Sequence, residues 1–231
     1  MPGHLLFKQE CISIEGADSL QIRSLLDRQQ FYDPQGEAAA LGISSAHWPL
    51  FGMLWPSALH LAQAMALRPL REDETILEVG CGLGLASLVS HRRGALVTAS
   101  DCHPLAGNFL LENLRLNNLP PLRYCHGDWT PPADQAPTGL RRPRVQGRFD
   151  LIIGSDVLYE RDDIGRLPDF IARHAMPCGE VLIVDPNRGN RSAFSKRMAS
   201  LGYALQHRPL KSPPGAAVNY SGQILSYRRG A

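Results

Sequence analysis

The sequence lacks the patterns that mark zinc proteins, secreted proteins and membrane proteins. It has five cysteines, an odd number, and no C-x-x-C pair, so we expect free thiols in a reducing cytoplasm and no metal site. No apolar run approaches the length of a membrane span, and Lys8, Glu10 and Glu15 interrupt the pattern of a signal peptide. With 24 basic and 22 acidic residues, charge gives no case for a nucleic-acid or membrane partner.

Between residues 74 and 208, short apolar runs alternate with helix-like segments. This alternation predicts a parallel sheet covered by helices on both faces. The length of 231 residues and the 44% hydrophobic content suit one globular domain, predicted at 51–231, behind an N-terminal extension at 1–50. The predicted strands are 75–79, 95–100, 122–125, 150–155 and 180–185, and the predicted helices lie near 83–92, 104–116, 163–176 and 190–201.

The two ends of the chain follow a different pattern. After residue 202, two strand-like runs are separated by a Pro/Gly-rich segment with no room for a crossover helix, which predicts an antiparallel pair at the end of the sheet. The N-terminus resembles a β-hairpin turning at Gly16–Ser19, and a helix is predicted to begin near Trp55 and Pro56. Residues 130–148, with several prolines and arginines, are interpreted as a surface loop.

A glycine-rich turn, ILEVGCGLGLASL at 76–88, joins the first of these strands to a helix. Gly80, Gly82 and Gly84 would let backbone N–H groups approach a ligand closely, although a packing turn without a ligand has the same pattern. Asp101 ends the next strand, where a carboxylate can accept both ribose hydroxyls. Glu78 would repel a pyrophosphate by roughly 1–4 kcal/mol, so the turn favours the sulfonium of S-adenosylmethionine over a dinucleotide.

Several segments together resemble the seven-strand S-adenosylmethionine-dependent methyltransferases, and within them the methyltransferase family 16 group of protein-lysine methyltransferases. The resemblance implies a three-layer Rossmann-like sandwich with a seven-stranded, mostly parallel sheet, and it implies that Trp55 lines the cofactor pocket. It spans roughly residues 48–208. The matching segments are EVGCGLGL (78–85), LWPSALHLA (54–62), TASDCHP (98–104), GDW (127–129) and GSDVLYE (154–160).

Other polar and aromatic residues follow the predicted strands. The Trp129 indole could stack on an adenine and Asp128 could accept a bond from its amine, although a tryptophan at the sheet edge and an aspartate in a turn fit equally. Ser155 could contact the adenosine or simply end its strand. Asp156 and Tyr159 are the predicted catalytic residues: Asp156 would orient an attacking amine and Tyr159 would assist or wall the acceptor channel. Asp156 as a simple turn cap is the alternative.

These patterns and the family resemblance together predict a cytoplasmic enzyme that transfers a methyl group from S-adenosylmethionine to a lysine side chain of a protein and releases S-adenosylhomocysteine. The oligomeric state is left open, with a monomer favoured. A small-molecule amine or a histidine remains an alternative acceptor, because this fold does not determine the substrate. A non-catalytic module that binds S-adenosylmethionine is a further alternative. No D-P-P-Y or N-P-P-Y segment follows the fourth strand, so methylation of a nucleic-acid base is disfavoured.

Overall fold

The computed structural model describes residues 5–129, 143–159, 162, 164–212 and 219–230. These residues form a seven-stranded sheet, a separate two-stranded sheet and six α-helices. The hairpin strands are β1 (Phe7–Ile14) and β2 (Ala17–Leu25). The large sheet contains β3 (Thr75–Val79), β4 (Leu96–Asp101), β5 (Arg123–His126), β6 (Phe149–Ser155), β7 (Ala175–Asp185), β8 (Tyr203–Lys211) and β9 (Ser221–Arg229). The helices are α1 (Glu37–Ala40), α2 (Pro56–Leu67), α3 (Leu85–Arg92), α4 (Ala106–Leu116), α5 (Arg166–His174) and α6 (Arg191–Ser200).

The large sheet has the strand order β5-β4-β3-β6-β7-β9-β8. Strands β3 to β7 run parallel, whereas β9 lies antiparallel between β7 and β8. The strand order reverses between β3 and β6, and a crevice therefore opens there at the carboxyl edge of the sheet. The predicted α/β fold, with its antiparallel C-terminal pair and N-terminal hairpin, is confirmed.

The central strands are apolar because both faces of the sheet are covered by helices. On one side, Leu61 and Met65 of α2 pack with Ile76 of β3 in one buried cluster. Another cluster joins Phe170 of α5 and Phe194 of α6 to the sheet. Because helices cover both faces of the sheet, a site can form only at its edge, where the loops that follow the carboxyl ends of the strands lie.

The N-terminal hairpin turns one residue earlier than the sequence suggested, at Glu15 and Gly16. A two-residue turn needs a left-handed conformation, and Gly16, with φ of +84°, adopts it without a steric cost. The hairpin is held to α4 by two side chains, since Asn117 and Asn113 accept hydrogen bonds from the backbone N–H groups of Gln21 and Arg23. The extension therefore packs on the domain core.

Helix α5 is shorter and β7 longer than predicted. Asp162 accepts hydrogen bonds from the first N–H groups of α5, at 2.8 and 2.9 Å, which sets its start at Arg166 rather than near residue 163. The helix ends at His174 because Ala175 is already extended and Pro177 follows, where a helix could not continue. Strand β7 therefore begins at Ala175, five residues before the predicted position.

One stretch, Trp48–Leu67, is long and apolar enough to cross a membrane by length and composition, with a mean hydropathy of 1.2. No stretch of this length was expected from the sequence. The chain is extended at Met53 and Trp55, so the stretch is divided into a 3₁₀ turn and α2. Leu61 and Met65 are fully buried in the domain core, and a core helix meets the same criterion as a membrane span.

The predicted surface loop at 130–148 lies largely outside the described residues. Of the part that the structure includes, Val145 is buried and Arg144 forms a parallel bridge with His126. The segment from 143 onward is therefore packed on the edge of the sheet and is not a fully solvated loop.

Candidate active site

The predicted glycine turn joins β3 to α3 in a left-handed backbone conformation. Gly80 and Gly82 have φ of +59° and +50°. A Cβ atom on Gly82 would lie 2.8 Å from the carbonyl oxygen of Phe51, and one on Gly80 would lie 2.8 Å from a methyl group of Val157. Only glycine fits both the backbone conformation and these contacts.

Glu78 lies beneath this turn and is fully buried. Its carboxylate accepts hydrogen bonds from the backbone N–H and the hydroxyl of Ser87, in the first turn of α3. Burial raises the pKa of Glu78 to about 7, because desolvation disfavours the charged form. Glu78 therefore secures the start of α3, while its predicted contact with a cofactor stays a prediction.

Asp101 occupies the carboxyl end of β4, beside the turn. Its Oδ2 accepts the N–H of Gly82 at 2.9 Å and its Oδ1 accepts the N–H of His103 at 2.8 Å. Burial raises the pKa of this carboxyl group. The Cys102 backbone also bonds this carboxylate. A carboxylate has about four acceptor positions, so the predicted ribose contact is chemically open and stays a prediction.

A cavity of about 570 Å³ opens at the carboxyl edge of the sheet above these groups. Its wall includes most of the predicted cofactor residues and both predicted catalytic residues. Its volume is within the range of small-molecule sites. The predicted residues on the wall are Trp55, Gly80, Gly82, Asp101, Trp129, Ser155, Asp156 and Tyr159.

Three predicted residues lie off this wall. Gly84 is the N-cap of α3, with φ of +75°, and a Cβ there would meet Leu110 at 2.5 Å. Asp128 accepts a hydrogen bond from Arg144 at 3.1 Å. With Glu78, these residues support the turn and the neighbouring loop, and their direct contact with a cofactor stays a prediction.

The N-terminal part of the chain closes one side of the cavity. Trp55 donates its indole N–H to the carbonyl of Leu50 at 2.9 Å, and the guanidinium of Arg28 lies 4.6 Å from the centre of its ring. The rings of Phe51 and His103 stack at 3.6 Å. Arg28 was not among the residues predicted from the sequence, because nothing local to residue 28 shows that it approaches Trp55.

Trp129 also lines this cavity and borders a second one. The second cavity, of about 480 Å³, lies between the starts of α5 and α6 and shares Trp129, Val157 and Tyr159 with the first. The indole N–H of Trp129 is buried and has no acceptor among the described residues. An unsatisfied donor of this kind is costly, so a polar ligand atom there would be stabilising.

Asp156 and Tyr159 follow β6, where the strand order reverses. Asp156 has φ of +57° and an 11% exposed side chain. Its Oδ1 accepts two hydrogen bonds from Arg188, from Nε at 3.0 Å and Nη2 at 2.7 Å. Tyr159 is 43% exposed, and its ring centre lies 5.9 Å from that of His47.

Arg188 also lines the cavity, and the sequence analysis missed it. It follows β7 in the turn Asp185–Arg188, where Asp185 Oδ1 accepts the Arg188 N–H at 2.9 Å. Asp185 is fully buried, and burial raises the pKa of its carboxyl group. Polar residues just beyond an apolar parallel strand were the signal that could have identified this pair.

Metal ligands are not clustered in the part of the chain that the structure describes. There, no group of three or more His, Cys, Asp and Glu side chains could hold a metal ion. All five cysteines have free thiols. The polar groups on the cavity wall include carboxylates, guanidinium groups, hydroxyls, imidazoles, indoles and thiols.

The sheet is mostly parallel, and its crevice lies where the strand order reverses. A glycine turn and an acidic strand end meet at this crevice, a combination that defines the class of α/β proteins that bind nucleotide-like ligands. Comparison with known proteins narrows this class. The family described as "Methyltransferase domain" matches residues 56–215, so the chain belongs to the methyltransferase domain family.

Named relatives agree with the family assignment. The chain is 28% identical over 177 residues to the electron transfer flavoprotein beta subunit lysine methyltransferase of Xenopus laevis. The aligned region covers 75% of this chain and 65% of that protein. It is 31% identical over 114 residues to the protein-lysine methyltransferase METTL21E of Mus musculus, which covers 46% of this chain and 44% of that protein. The predicted resemblance to protein-lysine methyltransferases is thus confirmed. The chain spans less than two thirds of the length of the frog relative, 65%.

The fold comparison is consistent with the same class. The magnesium protoporphyrin IX methyltransferase ChlM of Synechocystis PCC 6803, solved with bound S-adenosylmethionine, superposes with a TM-score of 0.57. The match covers 75% of this chain and 78% of that one at 16% identity. At this identity the likeness concerns the fold alone.

Proposed function

We propose that this protein is an S-adenosylmethionine-dependent N-methyltransferase that methylates a lysine side chain of a protein and releases S-adenosylhomocysteine. The observation that carries the proposal is one cavity wall. It combines the glycine turn and Asp101, which suit an adenosine ligand, with Asp156 and Tyr159, which suit an amine acceptor. The relatives named as lysine methyltransferases support the same acceptor.

The cofactor end of the cavity suits S-adenosylmethionine on chemical grounds. The Asp101 carboxylate already orients the N–H of Gly82 and would accept ribose hydroxyls with its remaining lone pairs. In their ionised forms, the carboxyl groups of Glu78 beneath the turn and Asp101 beside it would disfavour a pyrophosphate. A cofactor that carries a sulfonium and an ammonium tolerates them.

The acceptor end suits an amine that has already lost its proton. The nitrogen of a lysine has a lone pair only after the ammonium has lost its proton. With a pKa near 10.4, about 3.4 units above pH 7, this deprotonation costs roughly 4.6 kcal/mol. The sulfonium discourages a second positive charge nearby and favours this loss. Asp156 would then accept an N–H bond from the amine and direct its lone pair at the methyl carbon, so positioning is the main contribution.

We further propose that the enzyme acts in the cytoplasm as a monomer on a protein partner, without nucleic acid or membrane. The free thiols of all five cysteines suit a reducing compartment. The near balance of charge gives no electrostatic attraction to anionic polymers or lipids. Light scattering coupled to size exclusion would test the monomer, and imaging of the tagged protein would test its location.

The proposed reaction is tested by labelling. The purified protein is incubated with S-adenosylmethionine carrying a tritiated methyl group and a soluble cell extract, and labelled protein is hydrolysed to amino acids. We expect tritium in methyllysine, a strong loss of label with Asp156→Ala, and no loss with Asp18→Ala, which removes an exposed carboxylate on the hairpin. Label in methylhistidine, in RNA or only in small molecules would contradict the lysine assignment, and no label at all would favour a non-catalytic module.

A further inference from the structure

The guanidinium of Arg188 binds one oxygen of Asp156 and leaves the other without a hydrogen-bond donor among the described residues. Both of its hydrogen bonds end on Oδ1. Oδ2 of Asp156 accepts no hydrogen bond from any residue that the structure describes. Since both side chains line the cavity, the carboxylate is held by one oxygen and available through the other.

The backbone determines where Arg188 sits. Asn187 adopts a left-handed conformation, with φ of +61°, and the buried Asp185 Oδ1 accepts the N–H of Arg188 at 2.9 Å. These features form a tight turn directly after β7. The turn aims the side chain of Arg188 back across the crevice toward β6.

Asp156 is held from the neighbouring strand. Ser155 lies opposite Val184 in the parallel register of β6 and β7, and the Asp156 N–H donates to the Val184 carbonyl at 3.0 Å. Asp156 also adopts a left-handed conformation, which aspartate tolerates better than most other non-glycine residues. Both members of the pair are thus positioned by the ends of adjacent strands.

We propose that Arg188 is a positioning residue for methyl transfer: it fixes the Asp156 carboxylate so that Oδ2 receives the acceptor amine. Two donors on one oxygen restrain the carboxylate more than a single bond would. The lone pair of a directed amine must point at the methyl carbon, and small errors in such alignment reduce rates strongly. This inference rests on the proposed methyltransferase function.

A purely structural role for the pair predicts a different outcome. The Arg188 side chain is 37% exposed, and partly exposed ion pairs contribute little to stability. A structural pair would change unfolding without a specific effect on turnover. A positioning pair would change turnover while S-adenosylhomocysteine still binds, and its effect would depend on Asp156.

The test compares Arg188→Ala, Arg188→Lys, Asp156→Ala and the double variant Asp156→Ala/Arg188→Ala. Arg115→Ala is the matched control, because Arg115 also bonds a carboxylate, that of Glu112, but lies on α4 and does not line the cavity. The probes are S-adenosylmethionine with a tritiated methyl group, at saturating concentration, and the total protein of a soluble extract as acceptor. Calorimetry with S-adenosylhomocysteine reports cofactor binding and confirms that each variant is folded.

We expect Arg188→Ala to lower the initial rate at least tenfold, with S-adenosylhomocysteine affinity within threefold of wild type. Arg188→Lys should recover part of the rate, as should millimolar guanidinium added to Arg188→Ala. The double variant should be no slower than Asp156→Ala, and Arg115→Ala should match wild type.

An Arg188→Ala rate above half that of wild type, or independent effects of the two substitutions, would overturn the role of Arg188 while leaving the enzyme assignment intact. Loss of S-adenosylhomocysteine binding in Arg188→Ala would move the residue to the cofactor site. A wild-type protein that transfers no methyl group would instead overturn the proposed function, and this inference with it.

Discussion

Replacing Glu78 by glutamine should remove a pH-dependent loss of stability. The Glu78 carboxyl is fully buried, and its hydrogen bonds go to Ser87 at the start of α3. Burial raises its pKa from 4.5 to about 7. Glutamine has nearly the same shape and no titration in this range, so the substitution removes the proton equilibrium and keeps most of the packing.

The direction of the pH dependence follows from whether the folded or the unfolded protein holds the proton. Below pH 4.5 the group is protonated in the folded and the unfolded protein, and its contribution to stability is complete. Between pH 4.5 and about 7 the unfolded chain loses the proton and the folded protein keeps it, so the free energy of unfolding falls as pH rises. A shift of about 2.5 units, at 1.36 kcal/mol per unit, makes the full loss about 3 kcal/mol.

The assay is urea unfolding followed by circular dichroism from pH 5 to pH 8. The difference in unfolding free energy between Glu78→Gln and wild type should change by about 2–3 kcal/mol in favour of the variant across this range. A constant offset from the amide, roughly 1–3 kcal/mol for an unpaired buried donor, does not affect this change. The pKa of Asp101 is also raised by burial. Asp101 is present in both proteins, so its contribution to the pH dependence largely cancels in the difference between them.

Glu15→Gln serves as the matched control, because Glu15 is exposed in the hairpin turn. Its stability should follow the wild-type pH profile. Parallel profiles for wild type and Glu78→Gln, within about 0.5 kcal/mol from pH 5 to 8, would refute the argument that burial holds the proton on Glu78.

The remaining predictions concern the cavity. Asp101→Ala should weaken S-adenosylmethionine binding by roughly 1.5–3 kcal/mol for each lost bond to the charged acceptor. It should also lower the melting temperature, because the N–H groups of Gly82 and His103 lose their acceptor. An unchanged affinity, measured by calorimetry, would place the ribose elsewhere. S-adenosylmethionine should bind equally well with and without a chelator, and loss of binding on chelation would require a metal. Asp156→Ala should leave S-adenosylmethionine affinity within a few-fold of wild type and cut turnover at least about tenfold, or ~1.4 kcal/mol of barrier. Asp156→Asn should be nearly as damaging, since the amide is a weaker acceptor for an amine that develops positive charge, and full turnover in that variant would contradict the charged-acceptor role.

Local patterns were sufficient to predict most elements of the sheet. The apolar runs of β3 and β6 follow from short-range chemistry, because buried parallel strands require continuous apolar residues. Their polar ends predicted a site at the carboxyl edge, and the structure brings Asp101, Asp156 and Trp129 to one cavity wall there. The boundary between α5 and β7 was misplaced, since side-chain capping by Asp162 and the pairing of Ala175 with Phe149 decide it.

The sequence by itself determined the alternation of strands and helices, the glycine turn and the residue types that end each strand. Tertiary structure alone decided which side chains face inward and which pairs meet. Glu78 turned out to hold α3, Arg28 reached Trp55, and Arg188 reached Asp156 across 32 residues of chain. These contacts depend on strand register and on the helices that connect one strand to the next. The side chains involved are far apart in the sequence and meet only on folding, so no local pattern encodes the distance between them.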